Sequence, residues 1–290
     1  MTAYRFITAE KANHRIRLMC RVLQVSRSSY YAWVARPPAG SRDRGLAARI
    51  RAIHKRSGGT YGCPRVTAQL RQDGLTVNHK RVARIMREHG LQGIPRRPRG
   101  RASQPERQAA DNLLQREFTV SRPNEAWVGD ITYLPVAGGW AYLAVLIDLY
   151  SRKVVGWAVG AEQRTELCLA ALRRALATRP DVHGLVHHTD RGSQYTSDAY
   201  QRELARNGIR ASMSRKGNCW DNAVAESFFA TLKQERVRGE PYPSVQAARR
   251  DVSDYVHDFY NAHRLHSANG YRSPVDQEAL HRSNGLTSDP

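Results

Sequence analysis

Thiols are few in this chain of 290 residues. Cys20, Cys63, Cys168 and Cys219 are scattered, and no two form a C-x-x-C pair. That spacing excludes a zinc ribbon and a disulfide scaffold, and it reads as free thiols in a reducing cytosol. Long apolar runs are missing too. The longest, 140–147, is stopped by Asp148 and falls well short of the roughly 20 residues that cross a bilayer. The opening "MTAYRFITAEKANHR" lacks the apolar centre of a secretory signal. No G-x-S-x-G turn occurs, and Ser193 has no evident base, which argues against a serine nucleophile. Acids are also scarce: 26 Asp+Glu stand against 46 Lys+Arg, a net charge of +20. An excess of that size attracts a polyanion by counterion release, so nucleic acid is the expected partner. Hydrophobic residues at 41% and charged residues at 25% are ordinary for a globular chain, and the length fits about two domains.

The positive charge is concentrated early. Between positions 36 and 107, eighteen Lys and Arg face four Asp and Glu. The segment 8–34 reads as two short helices broken near residues 24–26, with Ser26 as an N-cap. "LAARIRAIHKR" sets Leu46, Ile50 and Ile53 at helical spacing. "YGCPRVTAQLRQDG" starts a helix at Pro64 and ends it at Gly74. "NHKRVARIMREHG" is capped by Asn78, has an inner stripe of Val82, Ile85 and Met86, and stops at Gly90. Short helices with basic outer faces suit two helix-turn-helix-like units over 1–93, and the alternative is a small bundle with a solvated basic surface. Scarce acidic partners favour DNA contact, by Arg65 and by Lys80, Arg81, Arg84 and Arg87. The Pro- and Arg-rich stretch 94–122 reads as an extended linker, adding Arg96, Arg97 and Arg99 as DNA contacts.

After Asn124 the pattern changes to strands. "EAWVGDITYLPV", "GWAYLAVLIDLY" and "KVVGWAVG" predict a three-strand meander, with "AGG" as the first turn. A helix over 165–177, a strand in "HGLVHHTD", a helix in "SDAYQRELARNG" and a short strand "IRASMS" follow. Helices starting at Asp221 and over 244–261 complete the order. The class is α/β with a mixed sheet over 123–280, and 281–290 reads as a flexible tail.

Three acids stand where acids are costly. Asp130 lies inside an apolar strand, Asp190 ends one, and Glu226 sits in "AVAESFFA". Helical geometry places Asn222, Glu226, Phe229, Ala230 and Lys233 on one face, with Val224, Phe228 and Leu232 near the other. Each acid alone is compatible with a satisfied structural carboxylate. Asp148, at a strand end, is read as such, bonded to turn amides or to Arg152. Together, three carboxylates with no thiolate fit a hard cation, Mg²⁺ or Mn²⁺. His188 shares a strand side with Asp190 and is expected in support, as is Asn222.

The order and spacing of "YGCPRV", "VNHKRVARIMREHGL", "WVGDITYLP", "YLAVLIDLYSRKVVGW", "HHTDRGSQYTS", "SMSRKGNCWDNAVAESFFATLKQE" and "FYNAHRLHSANGYRSP" strongly resemble the OrfB transposases of the insertion sequence 3 family, within the DDE transposase and retroviral integrase superfamily. The resemblance covers nearly the whole chain. It implies a ribonuclease H-like fold and a catalytic, metal-holding triad of Asp130, Asp190 and Glu226. It also implies Lys233 against DNA near the scissile end, and two Mg²⁺ or Mn²⁺ ions per site serving DNA-end cleavage and strand transfer. A DNA-bound homo-oligomer is implied, acting with an OrfA product or as an OrfAB fusion, in the cytoplasm at the nucleoid. The chain starts like OrfB alone. The rival reading is a DNA-binding regulator whose integrase-like domain is not catalytic.

Overall fold

Apolar residues three and four apart set the first helices. The structure, a computed structural model, describes residues 3–35, 43–95, 120–213 and 223–286. Helices α1 (Ala3–Glu10), α2 (Ile16–Val22) and α3 (Arg27–Val34) close around Ile7, Met19, Cys20 and Tyr30. The region read as two helices therefore holds three. Ile7 supplies the missing anchor, and a turn after Glu10 separates α1 from α2. Ser26 caps α3, accepting from the Ser29 N–H. Helices α4 (Arg44–Arg56), α5 (Cys63–Gln72) and α6 (His79–Glu88) form a second unit around Ile50, Ile53, Val66, Leu70, Val82, Ile85 and Met86. Asn78 caps α6, accepting from the Lys80 N–H at 2.8 Å.

The meander forms as the apolar alternation requires. Strands β1 (Ala126–Val136), β2 (Gly139–Asp148) and β3 (Val154–Gly160) are antiparallel in sequence, and Gly138, at φ +81°, makes the first turn. Helix α7 (Thr165–Thr178) carries the chain back to β4 (Val186–Thr189), which lies parallel to β1 on its other edge. The short α8 (Ser193–Thr196) and α9 (Asp198–Arg206) lead to β5 (Arg210–Met213). The order is β3-β2-β1-β4-β5, so β1 is central. This is the expected mixed sheet of ribonuclease H-like type.

Each sheet face buries its own core. On one, Trp127, Ala144 and Leu146 meet Leu169, Leu172, Tyr200 and Leu204. On the other, Val128, Leu134, Val145 and Ile147 meet α10 (Ala223–Leu232) and α11 (Val245–Asp254) through Phe228, Leu232 and Val252, and Tyr255 just past α11 joins them. Burying Phe228 or Leu232 contributes roughly 1.5–3 kcal/mol each. Helix α10 continues as a π-helical turn, Lys233–Val237. The span read as one helix over 244–261 is α11 followed by a wider π-helix, Tyr255–Asn261. That widening lets Tyr255 and Tyr260 both enter the core while Asn261 closes a two-bond bridge with the Val154 backbone, 2.9 Å each way.

A final helix, α12 (Pro274–Leu286), went unread in the sequence, and the expected tail boundary at 281 falls inside it. Its Glu278 is buried and pairs with Arg179 and with Lys153 at 3.1 Å. Asp148 is structural, as expected. Its oxygens accept from the amides of Asn124, Tyr150 and Ser151, and no bond to the Arg152 guanidinium forms. The segment before α12 locks the two halves together. Leu265 sits in the α4–α6 core, and Tyr61 Oη donates to the His263 carbonyl while accepting from the Leu265 N–H at 2.8 Å. Residues 96–119, most of the linker, lie outside the described residues.

Candidate active site

Asp130 stands mid-way along the central strand. Its Oδ1 accepts from the Ile131 N–H at 2.8 Å. Burial pushes its carboxyl up to about 7 against that bond, and the charges of Asp190 and Glu226 add to the rise.

Register brings Asp190 beside it. Ala126 pairs with Val186 and Val128 with His188 on the parallel neighbour. Carried two residues further, the same offset sets Asp190 level with Asp130, on a chain about 4.8 Å away. Residues level in register present their side chains to the same face. Strand β4 stops at Thr189, and Asp190 Oδ1 takes the Gly192 N–H at 3.0 Å, which turns the chain away.

Glu226 arrives from above that face. Helix α10 buries Ala225, Phe228, Phe229 and Leu232 against Val128 and Leu134, and leaves Glu226 exposed. Phe229 had been placed on the Glu226 face. It is buried instead, because it lies at the edge of that face and the core reaches both phenylalanines. Three elements thus carry three acids to one side of the sheet, close enough for two of them to act on the third.

Lys233 directly follows α10, about two turns beyond Glu226. Its Nζ is 4.3 Å from the Tyr133 ring centroid, and Trp140 meets Tyr133 edge-on at 4.8 Å. Both rings are about half exposed, at 55% and 51%. Sequence reasoning passed over this pair. The signal was there, as large aromatics turned outward at the tip of an otherwise buried hairpin.

His187 and His188 are both buried in the sheet. His187 bonds Tyr200 Oη at 2.8 Å, and burial pushes its imidazole down to about 4. His188 is buried, with Nδ1 3.0 Å from Ser212 Oγ, so it ties β4 to β5 behind Asp190. Asn222 lies outside the described residues.

The donor set suits a hard cation. The nearby thiol, Cys168, is pushed up to about 12 by burial, so it stays protonated and offers no soft ligand. Among the described residues, no three His, Cys, Asp or Glu side chains already converge as a metal cage. Like charges with nothing between them favour standing apart.

The basic residues expected to reach DNA divide into groups. Lys80 and Arg87 are exposed on α6. Arg81 and Arg84 both pair with Asp43, and Arg84 also with Glu88 at 2.7 Å. Acidic partners are scarce here, but one aspartate serves two arginines. Arg65 turns from the outer face, donating through Nε to the Leu265 carbonyl at 3.0 Å. Arg96, Arg97 and Arg99 lie outside the described residues.

Residues 41–99 match the family described as HTH-like domain, and 120–219 and 207–274 match two families described as Integrase core domain. Over 281 residues, 95% of this chain and 98% of the relative, the sequence is 41% identical to transposase InsF for insertion sequence IS3A of Escherichia coli K12. The chain belongs to the IS3 transposase family. This transposase is also 39% identical to the 31 kDa protein of insertion element IS600 from Shigella sonnei, over 89% of this chain and 96% of that one. Solved structures are more distant. The HTLV-2 integrase catalytic core domain, determined in complex with magnesium, has a TM-score of 0.42 and 17% identity over 54% of this chain and 97% of its own. An intasome of simian T-cell lymphotropic virus has a TM-score of 0.44 and 17% identity over 79% and 74%. With an integrase core and these transposase relatives, the transposase is a polynucleotidyl transferase of the DDE type. The reading as a non-catalytic regulator gains no support from them. Among the described residues, no helix is long and apolar enough to cross a membrane.

Proposed function

We propose that Asp130, Asp190 and Glu226 are the catalytic acids of this transposase, and that they hold divalent cations, Mg²⁺ or Mn²⁺, while it cuts transposon ends and joins them to target DNA. What supports this reading is that a central strand, a neighbouring strand end and a helix each carry an acid toward one face of the sheet, with the charges of Asp190 and Glu226 felt at Asp130. When bound, a pair of such ions activates the attacking oxygen and stabilises the leaving one.

The chain's own groups do the rest. Asp130, pushed up to about 7 by burial and by the charges of the other two acids, carries a proton near neutral pH that it must release when a cation arrives. Asp190 is oriented by the Gly192 amide, and Glu226 by the buried face of α10. Lys233, held against Tyr133, presents a positive charge beside the DNA end. In each step an oxygen of water or of a DNA 3′-OH bonds to phosphorus as the bond to the departing oxygen breaks. No side chain becomes attached to DNA, in keeping with the lack of an activated nucleophile.

DNA reading is assigned to 1–93, with Lys80 and Arg87 as free contacts, and catalysis to 123–280. The linker 94–122, with Arg96, Arg97 and Arg99, follows the DNA between them. A DNA-bound homo-oligomer, aided by an OrfA product or fusion, is the acting form.

The test uses the full chain and a labelled transposon end. Cutting and joining are expected with Mg²⁺ or Mn²⁺ and not with EDTA. Asp130→Asn, Asp190→Asn and Glu226→Gln are each expected to abolish cutting while DNA binding persists. Full activity in any one of them removes that residue from the site.

A further inference from the structure

A cleft of about 350 Å³ opens on the flank of α10 next to Glu226's face, between the helical unit and the core. Ser227 and Thr231 of α10 form one wall, Arg65 of α5 another, and Arg152, Arg264 and His266 the floor and far side.

Its charge is unbalanced. Three guanidinium groups meet there, and Glu235 is the one acid among the described lining residues. Glu235 is already committed: Arg264 grips it through Nε and Nη2, and Tyr255 Oη donates to it at 2.7 Å. Arg65 has a carbonyl as its partner. Among the described residues, no hydrogen bond or ion pair engages the Arg152 guanidinium. Asp148, the acid that acts on it, has its oxygens taken by backbone amides. His266 Nε2 is buried and, among the described residues, has no partner. Burial pushes its imidazole down, and the charges of Arg264, Arg65 and Arg152 add to that.

The backbone adds an independent sign. Arg152 lies at φ +64°, where glycine or asparagine is at ease and a long side chain is not. An arginine in that backbone region, its guanidinium without a partner among the described residues, is consistent with a binding role.

We infer that this cleft is a phosphate-binding site, in which Arg152 and Arg65, with Ser227 and His266, receive one backbone phosphate of the DNA. An oxyanion supplies the charge the lining lacks and an acceptor for His266 Nε2. It also spans the helical unit and the core through Arg65 and Arg152, one face away from the glutamate of the same helix. The source of the phosphate rests on the proposed DNA chemistry; the site itself does not.

The deciding variant is Arg152→Asn in the full chain. Asparagine suits the left-handed backbone and removes an unpaired cation, so the variant is expected to melt at or above the wild-type temperature. Binding to transposon-end DNA, measured in EDTA so that cleavage plays no part, is expected to weaken about fivefold at 0.15 M salt, with a salt slope shallower by about one. A methylphosphonate scan of the DNA is expected to show one position whose neutralisation weakens the wild type and not the variant. A lower melting temperature with unchanged DNA affinity makes Arg152 structural and overturns the inference. In parallel, inorganic phosphate is titrated against thermal stability. If it protects the wild type and not Arg152→Asn while DNA affinity is equal, the site takes free phosphate, and the DNA assignment fails. If the wild type binds no DNA at all, the proposed function fails, and the phosphate titration still reads the cleft.

Discussion

Asp130 destabilises the protein that carries no metal. Its carboxyl titrates near 7 in the folded chain and near 4 when unfolded, so the folded state holds the proton more tightly. The stability tied to this one carboxyl is therefore fully present below about pH 4 and declines as pH rises toward 7, by at most about 4 kcal/mol and less where water enters the site. In EDTA, Asp130→Asn is expected to melt higher than the wild type at pH 8, with the difference vanishing below pH 4. Added Mg²⁺ should raise the wild-type melting temperature and leave the variant's unmoved. Thermal melts across pH, with and without metal, check both. This residue was legible in the sequence because an acid inside an apolar strand is costly, and the cost asks for a reason. Arg152 and His266 were not legible. Nothing in "YSRK" reveals a left-handed backbone, and nothing in "HRLHS" reveals the setting of His266, which involves Arg65 and Arg152, more than a hundred residues away.

At the scale of elements, α10 is held from its far end. Glu235, in the π-turn that continues α10, and Arg264 are each 6% exposed and bonded to one another. Arg264→Met leaves a buried carboxylate unpaired and is expected to cost about 3–5 kcal/mol in denaturant unfolding. The double change with Glu235→Gln should recover most of that loss, and failure to recover would show that the pair does more than neutralise itself. Strand spacing gives a second case. A Cβ on Gly129 would stand 2.7 Å from the His187 ring, which is buried and bonded to Tyr200. Gly129→Ala is expected to push β4 from β1 and separate Asp190 from Asp130. Cleavage should fall further than stability, as read by parallel kinetics and melts. The strands, α4 to α7 and the cap of α6 were readable because period and capping are local. Helices α1 and α12 and both π-turns were missed. What fixes them is distant: Ile7 against Tyr30, Glu278 against Arg179, Asn261 against Val154.

Across the whole molecule, charge is held in check at one point. Asp43 binds both Arg81 and Arg84 beside the exposed Lys80 and Arg87, and those two arginines hold its carboxyl below the usual carboxylate range. Asp43→Asn is expected to tighten DNA binding and steepen its salt dependence, by up to about two in the logarithmic slope. An unchanged slope would mean that α6 does not touch phosphates. The order of the halves was legible in charge and pattern. Their union was not, because Leu265 inside the α4–α6 core and Tyr61 on the 263–265 backbone join residues two hundred positions apart.

That union bears on the moment of synthesis. The three acids precede Arg264 and Glu278, the residues that fasten α10 and the sheet edge. A polypeptide still leaving the ribosome has its whole triad but not yet its fastenings. A chain cut short before Pro274 is therefore expected to hold the three acids yet lose Glu278's hold on Arg179 and Lys153, with cleavage and melting temperature as the readouts.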